Sequence, residues 1–235
     1  MARLITWPEP IWLSRVEWIG GPNARNSGSN TASDGTEQTF TGIGDVLAFR
    51  YTPTLAMGTR ARRERGFLLA LHNGVNAARV QLVVGDDLTP EEAGVSGPLT
   101  GQPWGNGERW GNGRPWSSSY PQVRVAEDAD CGAGIVALED EYWGHNLGLG
   151  DPIGFFPFYY GAHFVTEVIE PGRYRIWPRL RKEITPDDYA TLHPTLVMKT
   201  MPDGVSMARG PVHTEGVGVT LVEVIDPYVR QYFTD

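Results

Sequence analysis

The sequence predicts a mainly β protein with a single α-helix, and three observations predict it. Glycine and proline supply 29 and 18 of the 235 residues, which suits many short strands joined by turns rather than a helical bundle. Apolar and polar residues alternate repeatedly along the chain, and one segment alone carries a helical apolar stripe. The stretch from Leu147 to Lys182 contains a hairpin with both strands and a turn of defined type. A chain of this length forms one large β domain or two small ones, and either buries a real core.

Ile11 to Ile19 sets Trp12, Ser14, Val16 and Trp18 against Ile11, Leu13, Arg15, Glu17 and Ile19, a strand ended by Gly20-Gly21-Pro22. Asn23 to Asp34 is small and polar, so a long loop or mobile segment is expected. Thr36 to Thr41 and Val46 to Thr52 read as two further strands. The helix is expected from about Thr59 to His72. Thr59 stands where an N-cap would, Phe67, Leu68 and Leu71 form the stripe, and Asn73-Gly74 is the stop signal. Arg60, Arg62, Arg63 and Arg65 crowd its first half, where the helix dipole disfavours cations. They are expected to answer something acidic outside the helix. Gly66 weakens its middle. Ala78 to Val84 follows as a strand.

Leu88 to Asn146 differs in character. Its repeat Trp104-Gly105-Asn106-Gly107, Trp110-Gly111-Asn112-Gly113, Trp116 has a six-residue spacing that fits no helix stripe. Three roles are open to these indoles: stacking on sugar rings, anchoring the loop in a neighbouring subunit, or packing back on their own sheet. Pro121 to Val125 and Ile135 to Leu138 read as short strands flanking an acidic segment. In the hairpin beyond, Ala162 to Ile169 alternates, and Glu170-Pro171-Gly172-Arg173 carries the type II signature of proline second and glycine third. Tyr174 to Trp177 returns and stops at Pro178, which has no N–H for a ladder. The basic cluster Arg179, Arg181 and Lys182 lies just past it. Thr185-Pro186-Asp187-Asp188 starts a helical turn, and Thr195 to Met201 and Val217 to Ile225 are the last strands.

The formal net charge of −8 argues against nucleic acid as a main partner. A single cysteine, Cys131, excludes an intrachain disulfide. No apolar stretch is long enough for a signal peptide or a membrane span, so a soluble chain is expected. Asp128, Asp130, Glu139, Asp140, Glu141 and His145 are the nearest approach to a cation site, with spacing that matches neither an EF-hand nor a zinc pattern. His72, His145, His163, His193 and His213 are scattered singly. No nucleophile elbow, phosphate loop or dinucleotide fingerprint occurs. Neither a catalytic group, a cofactor nor a metal is therefore expected.

Four stretches, in this order, resemble the distal tail type of minor tail protein of a long-tailed bacteriophage or gene-transfer-agent particle. Thr36-Glu37-Gln38 stands ahead of a strand pair, and the segment Thr59 to His72 leads as a helix into Ala78 to Val84. Leu149-Gly150-Asp151-Pro152-Ile153 resembles the opening of a small barrel. Ile176-Trp177-Pro178-Arg179-Leu180-Arg181 resembles its Pro-x-Leu-Arg ending. The resemblance implies a β-sandwich ring-forming domain with one helix (residues 1–84 and 195–235), a Trp/Gly-rich insertion (85–146) and a small β-barrel-like unit (147–194). It also implies no catalysis and a ring of copies, commonly six, in the virion tail tip, assembled in the host cytoplasm. Tail tube and hub or baseplate proteins would be its partners. Arg60, Arg62, Arg63, Arg65, Trp104, Trp110, Trp116, Arg179 and Arg181 are its candidate interface residues. The rival reading is a carbohydrate-binding module contacting host-surface glycans, and a hydrolase using acidic-loop carboxylates is a third.

Overall fold

Strands form where β-branched and aromatic residues alternate with polar ones, because such side chains pack well on a half-buried pleated surface. The computed structural model describes residues 2–6, 13–20, 24–31, 37–41, 45–82, 122–139, 147–201, 208–209, 214–215, 218–225 and 229. First come β1 (Leu4–Thr6), β2 (Leu13–Gly20), β3 (Ala24–Thr31), β4 (Glu37–Thr41) and β5 (Ala48–Pro53). The helix α1 (Gly58–Ala70) and a 3-10 turn (His72–Gly74) then lead to β6 (Ala77–Gln81). Next are β7 (Gln122–Arg124), β8 (Ile135–Ala137), β9 (Pro152–Phe156), β10 (His163–Glu170), β11 (Arg173–Trp177) and β12 (Tyr189–Thr191). The chain ends with β13 (Thr195–Thr200), β14 (Ala208–Arg209), β15 (Thr214–Glu215) and β16 (Val219–Glu223). The protein is mainly β, with two multi-stranded sheets and one α-helix among the described residues.

Two compact units are present, Met1–Gln81 with Thr195–Asp235, and Leu82–Pro194. In the first, six strands order as β1-β6-β13-β16-β5-β2, antiparallel except where β1 joins β6. The register puts Phe49, Tyr51, Ala78, Val80, Leu196, Met198, Val219 and Leu221 on one face. All eight are buried, and this face is the core of the sheet. Each of the larger side chains contributes roughly 1.5–3 kcal/mol by leaving water. The alternate residues Arg50, Arg79 and Lys199 are exposed on the other face. Ala24–Thr31 is a strand paired antiparallel with Glu37–Thr41, so the loop expected over 23–34 is corrected. A two-stranded ribbon needs no buried face, and a polar sequence can satisfy its backbone there without the apolar alternation that marks a strand.

The helix begins one residue before the expected cap. Met57 is the N-cap, with extended backbone and no capping side-chain hydrogen bond, while Thr59 lies inside and accepts a bond from Arg62 Nη2 at 3.1 Å. Of the expected stripe, Phe67 and Leu71 are buried and Leu68 partly so. At the far end His72, Asn73 and Gly74 all take positive φ, 46°, 50° and 87°, which turns the chain back toward β6. A side chain at Gly74 would start 2.6 Å from the Thr200 carbonyl oxygen.

The second unit is a closed barrel. Its sheet runs β7-β12-β9-β10-β11-β8, every neighbouring pair antiparallel. The two outer strands then join through a bridge between Val125 and Leu138. Ala126 N–H donates to the Ala137 carbonyl at 2.9 Å and Glu139 N–H to the Arg124 carbonyl at 2.9 Å. Residues 122–124 and 135–137 therefore complete the barrel wall, where the sequence reading placed them in an insertion apart from it. Inside lie Val123, Val125, Val136, Leu138, Ile153, Phe155, Val165, Tyr174, Ile176 and Ala190. Gly172 holds φ 83° in the Glu170–Arg173 turn, as a type II turn requires. The alternation expected through Ala162 to Ile169 fails in part: His163, Phe164 and Val165 are all buried, and Thr166 to Glu170 all exposed. A register shift between Val165 and Glu167 marks where β10 leaves the barrel for the protruding hairpin. Thr185–Asp188 closes as a single turn, with Asp188 N–H on the Thr185 carbonyl at 2.9 Å. At the base of the unit Leu82 N–H donates to the Pro194 carbonyl at 3.1 Å.

A buried polar chain crosses this core. His163 Nδ1 lies 2.6 Å from the Pro178 carbonyl and Nε2 2.8 Å from Tyr159 Oη, which also accepts Arg181 N–H at 2.9 Å. A carbonyl can only accept, so Nδ1 carries the proton and Nε2 accepts from the tyrosine. Complete burial is the main cause that drives the imidazole down to about 4, with the Pro178 bond opposing and the Arg181 charge assisting.

Two outcomes follow. The His163 ring stays neutral on acidification until about pH 4, whereas an unfolded histidine protonates near 6.5. Its contribution to stability is complete above about 6.5 and is lost as pH falls toward about 4, on the order of 3 kcal/mol in all; a ring resonance titrating near 6.5 by NMR would contradict the buried network. Gly66→Ala meets nothing within 4 Å and should stabilise the first unit by about 0.5–1 kcal/mol. Gly74→Ala should destabilise it, as denaturant midpoints of the two variants would show.

Candidate interaction surface

The expected interface residues of the first unit sit on α1, a helix that buries little. Glu64 and Phe67 are its buried residues. Glu64, at 5% exposure, is answered within the helix: Arg60 Nε lies 3.3 Å from its Oε1, four residues earlier. The same guanidinium donates through Nη2 to Thr54 Oγ1. Burial holds the Glu64 carboxyl above its usual range, and the Arg60 charge and hydrogen bond pull the other way. Arg60 is thus tied into the fold by Glu64 within the helix and Thr54 before it.

The other three arginines are placed differently. Arg62 and Arg63 are exposed and Arg65 is partly exposed. Among the described residues none of them makes an ion pair. No acidic residue occupies the first turn to offset them, so the helix start carries uncompensated positive charge. Large apolar side chains lie exposed on the same segment: Leu55 and Met57 just before the helix, Leu69 on its last turn at 71%, and Val75 just after it. An apolar side chain that open in a position the fold could have made polar is unusual when several occur together.

In the barrel, Arg179 is exposed, with Nη1 3.4 Å from the Gly132 carbonyl. Arg181 is 5% exposed, so its burial in the core of the second unit takes it out of the surface that Arg179 occupies. Trp104, Trp110 and Trp116 lie outside the described residues, as do Asp140, Glu141, His145 and His213. Among the described residues no three His, Cys, Asp or Glu side chains converge as metal ligands. The Cys131 thiol is exposed and reaches the Arg181 carbonyl at 3.2 Å. His163 has both ring nitrogens engaged in the core, and His72 is an exposed turn residue. Among the described residues no helix is long and apolar enough to cross a membrane.

One part of the surface was not anticipated. Within the aromatic run, Phe155 and Tyr159 point into the barrel, while Phe156 stacks outside on Tyr189 with ring centroids 5.6 Å apart and planes at 23°. Phe158 is 78% exposed and holds φ 66°, a left-handed conformation that disfavours a bulky side chain. Six consecutive residues with five aromatics carry no alternation signal, so the sequence could not say which rings face outward. Compared with known proteins, the chain matches no family model and no curated sequence.

Proposed function

We propose that this protein is a structural component of the tail tip of a long-tailed phage or gene-transfer-agent particle. In this reading its first unit is the ring-forming β-sandwich domain, and copies of it form a ring linking the tail tube to the hub and baseplate. The observation that carries the reading is the surface of α1, where Leu55, Met57, Leu69 and Val75 are exposed beside three arginines without carboxylate partners among the described residues. A stable solitary fold gains nothing from this arrangement, and a subunit that buries it on assembly does. Support also comes from the ordered resemblances in the sequence.

A second reading, a carbohydrate-binding module, has its own support in the outward Phe156–Tyr189 stack and the exposed Phe158, since aromatic faces offer apolar platforms to sugar rings.

The mass of the purified protein across a wide concentration range tests the assembly reading. A closed ring, or a ladder of species tending to one, is the expected result, and Leu69→Glu should shift it toward monomer. A monomer at every concentration would remove the assembly reading. Glycan binding that disappears in Tyr189→Ala would then favour the second.

A further inference from the structure

We infer that copies of this chain meet head to tail, the arginine face of α1 on one copy docking against the acidic surface of the second unit on the next. The inference rests on the assembly reading and supplies the contact that it leaves unspecified. Charge is divided very unevenly between the two units. The first, Met1–Gln81 with Thr195–Asp235, carries 12 Lys and Arg against 11 Asp and Glu, a formal +1. The second, Leu82–Pro194, carries 8 against 17, a formal −9, and the two together give the −8 of the chain. All of the excess negative charge therefore belongs to one unit.

On the first unit, Arg62, Arg63 and Arg65 fall within four residues of α1, and the nearby carboxylate, Glu64, is already held by Arg60. On the second, the matching feature forms where Ala129 bridges Ile184, joined in both directions by N–H···O bonds of 3.0 Å. That bridge gathers Glu127, Asp128, Asp130 and Glu183 around one spot, all exposed. None of the four has an ion-pair partner among the described residues. Lys182 precedes Glu183 in sequence and is partly buried, and the nearby Arg179 turns to the Gly132 carbonyl.

Unmatched cations on one unit and unmatched carboxylates on the other are complementary between copies. A contact of the arginine face with itself would set like charges together, which is repulsive. A contact that joins two different faces leaves each copy with one of each still free, so it can repeat until the ring closes. The occupant of the arginine face is accordingly a second copy of this chain.

The test uses the full chain, read by mass and sedimentation. Raising salt from about 0.01 M to about 1 M shortens the screening length from about 30 Å to about 3 Å and should weaken association of the unmodified protein more than about tenfold, as expected for exposed charges. Arg62→Glu/Arg63→Glu and Asp128→Arg/Asp130→Arg should each stay monomeric alone, and an equal mixture of the two should recover species larger than dimers. That recovery shows at once that both variants fold. Assembly of either variant alone at the wild-type level, failure of the mixture, salt-independent association or a species that stops at two copies would overturn the head-to-tail contact while leaving assembly standing. An unmodified chain that remains monomeric throughout would overturn the assembly reading, and this inference with it.

Discussion

The second unit depends on the meeting of two short strands. An open six-stranded sheet leaves two rows of backbone donors and acceptors without partners, and here residues 124–126 and 137–139 join them to each other. Closure decides the rest. It fixes which side chains line the interior, gives Val123, Val136, Ile153, Val165 and Tyr174 a common core, and removes the edges by which such a sheet would pair indiscriminately. It also encloses His163, whose two nitrogens are committed to Pro178 and Tyr159. A buried polar group is tolerated when each of its hydrogen bonds is met, and the tyrosine meets two of them by donating to the ring and accepting from Arg181.

The first unit is organised around the opposite circumstance, an element that is only half used. The helix contributes Phe67 and the turn after it Leu71 to the core, and the buried Glu64 is held there by the partly exposed Arg60. Its remaining surface mixes arginine with exposed leucine, methionine and valine. Stability of the unit comes from the sheet face of Phe49, Tyr51, Leu196, Met198 and Leu221. That leaves the outer surface of the helix with no part in this core.

Much of the fold was legible in the sequence because strands and turns announce themselves locally. The alternation in β2, β5 and β16, the proline stop at Pro178 and the type II turn at Gly172 each follow from two to eight neighbouring residues. The hairpin of Ala24–Thr31 with Glu37–Thr41 was illegible because its strand is polar on both sides, and nothing in composition separates it from a loop. Barrel closure was illegible for another reason: residues 125 and 138 meet through a bridge whose partner no local pattern names. The candidate surface was legible as charge but not as exposure. Arg60, Arg62, Arg63 and Arg65 look alike in the sequence, and only the placement of Glu64 separates the paired one from the rest. Arg179 and Arg181 likewise differ, one exposed and the other buried, a distinction that the strand stop at Pro178 concealed.

In chain order the second unit is inserted between two strands that are partners in the first, with Gln81 opposite Thr195 in the ladder. The chain leaves the first sheet at one of these residues and returns at the other, and Leu82 and Pro194 are already joined by a hydrogen bond as it does so. To the first sheet, the whole second unit is equivalent to a short connection. Its closure entropy is met by the folding of the barrel itself rather than by a long flexible loop. A geometry of this kind makes the barrel an exchangeable cassette: any domain whose ends lie one ladder rung apart can stand in its place.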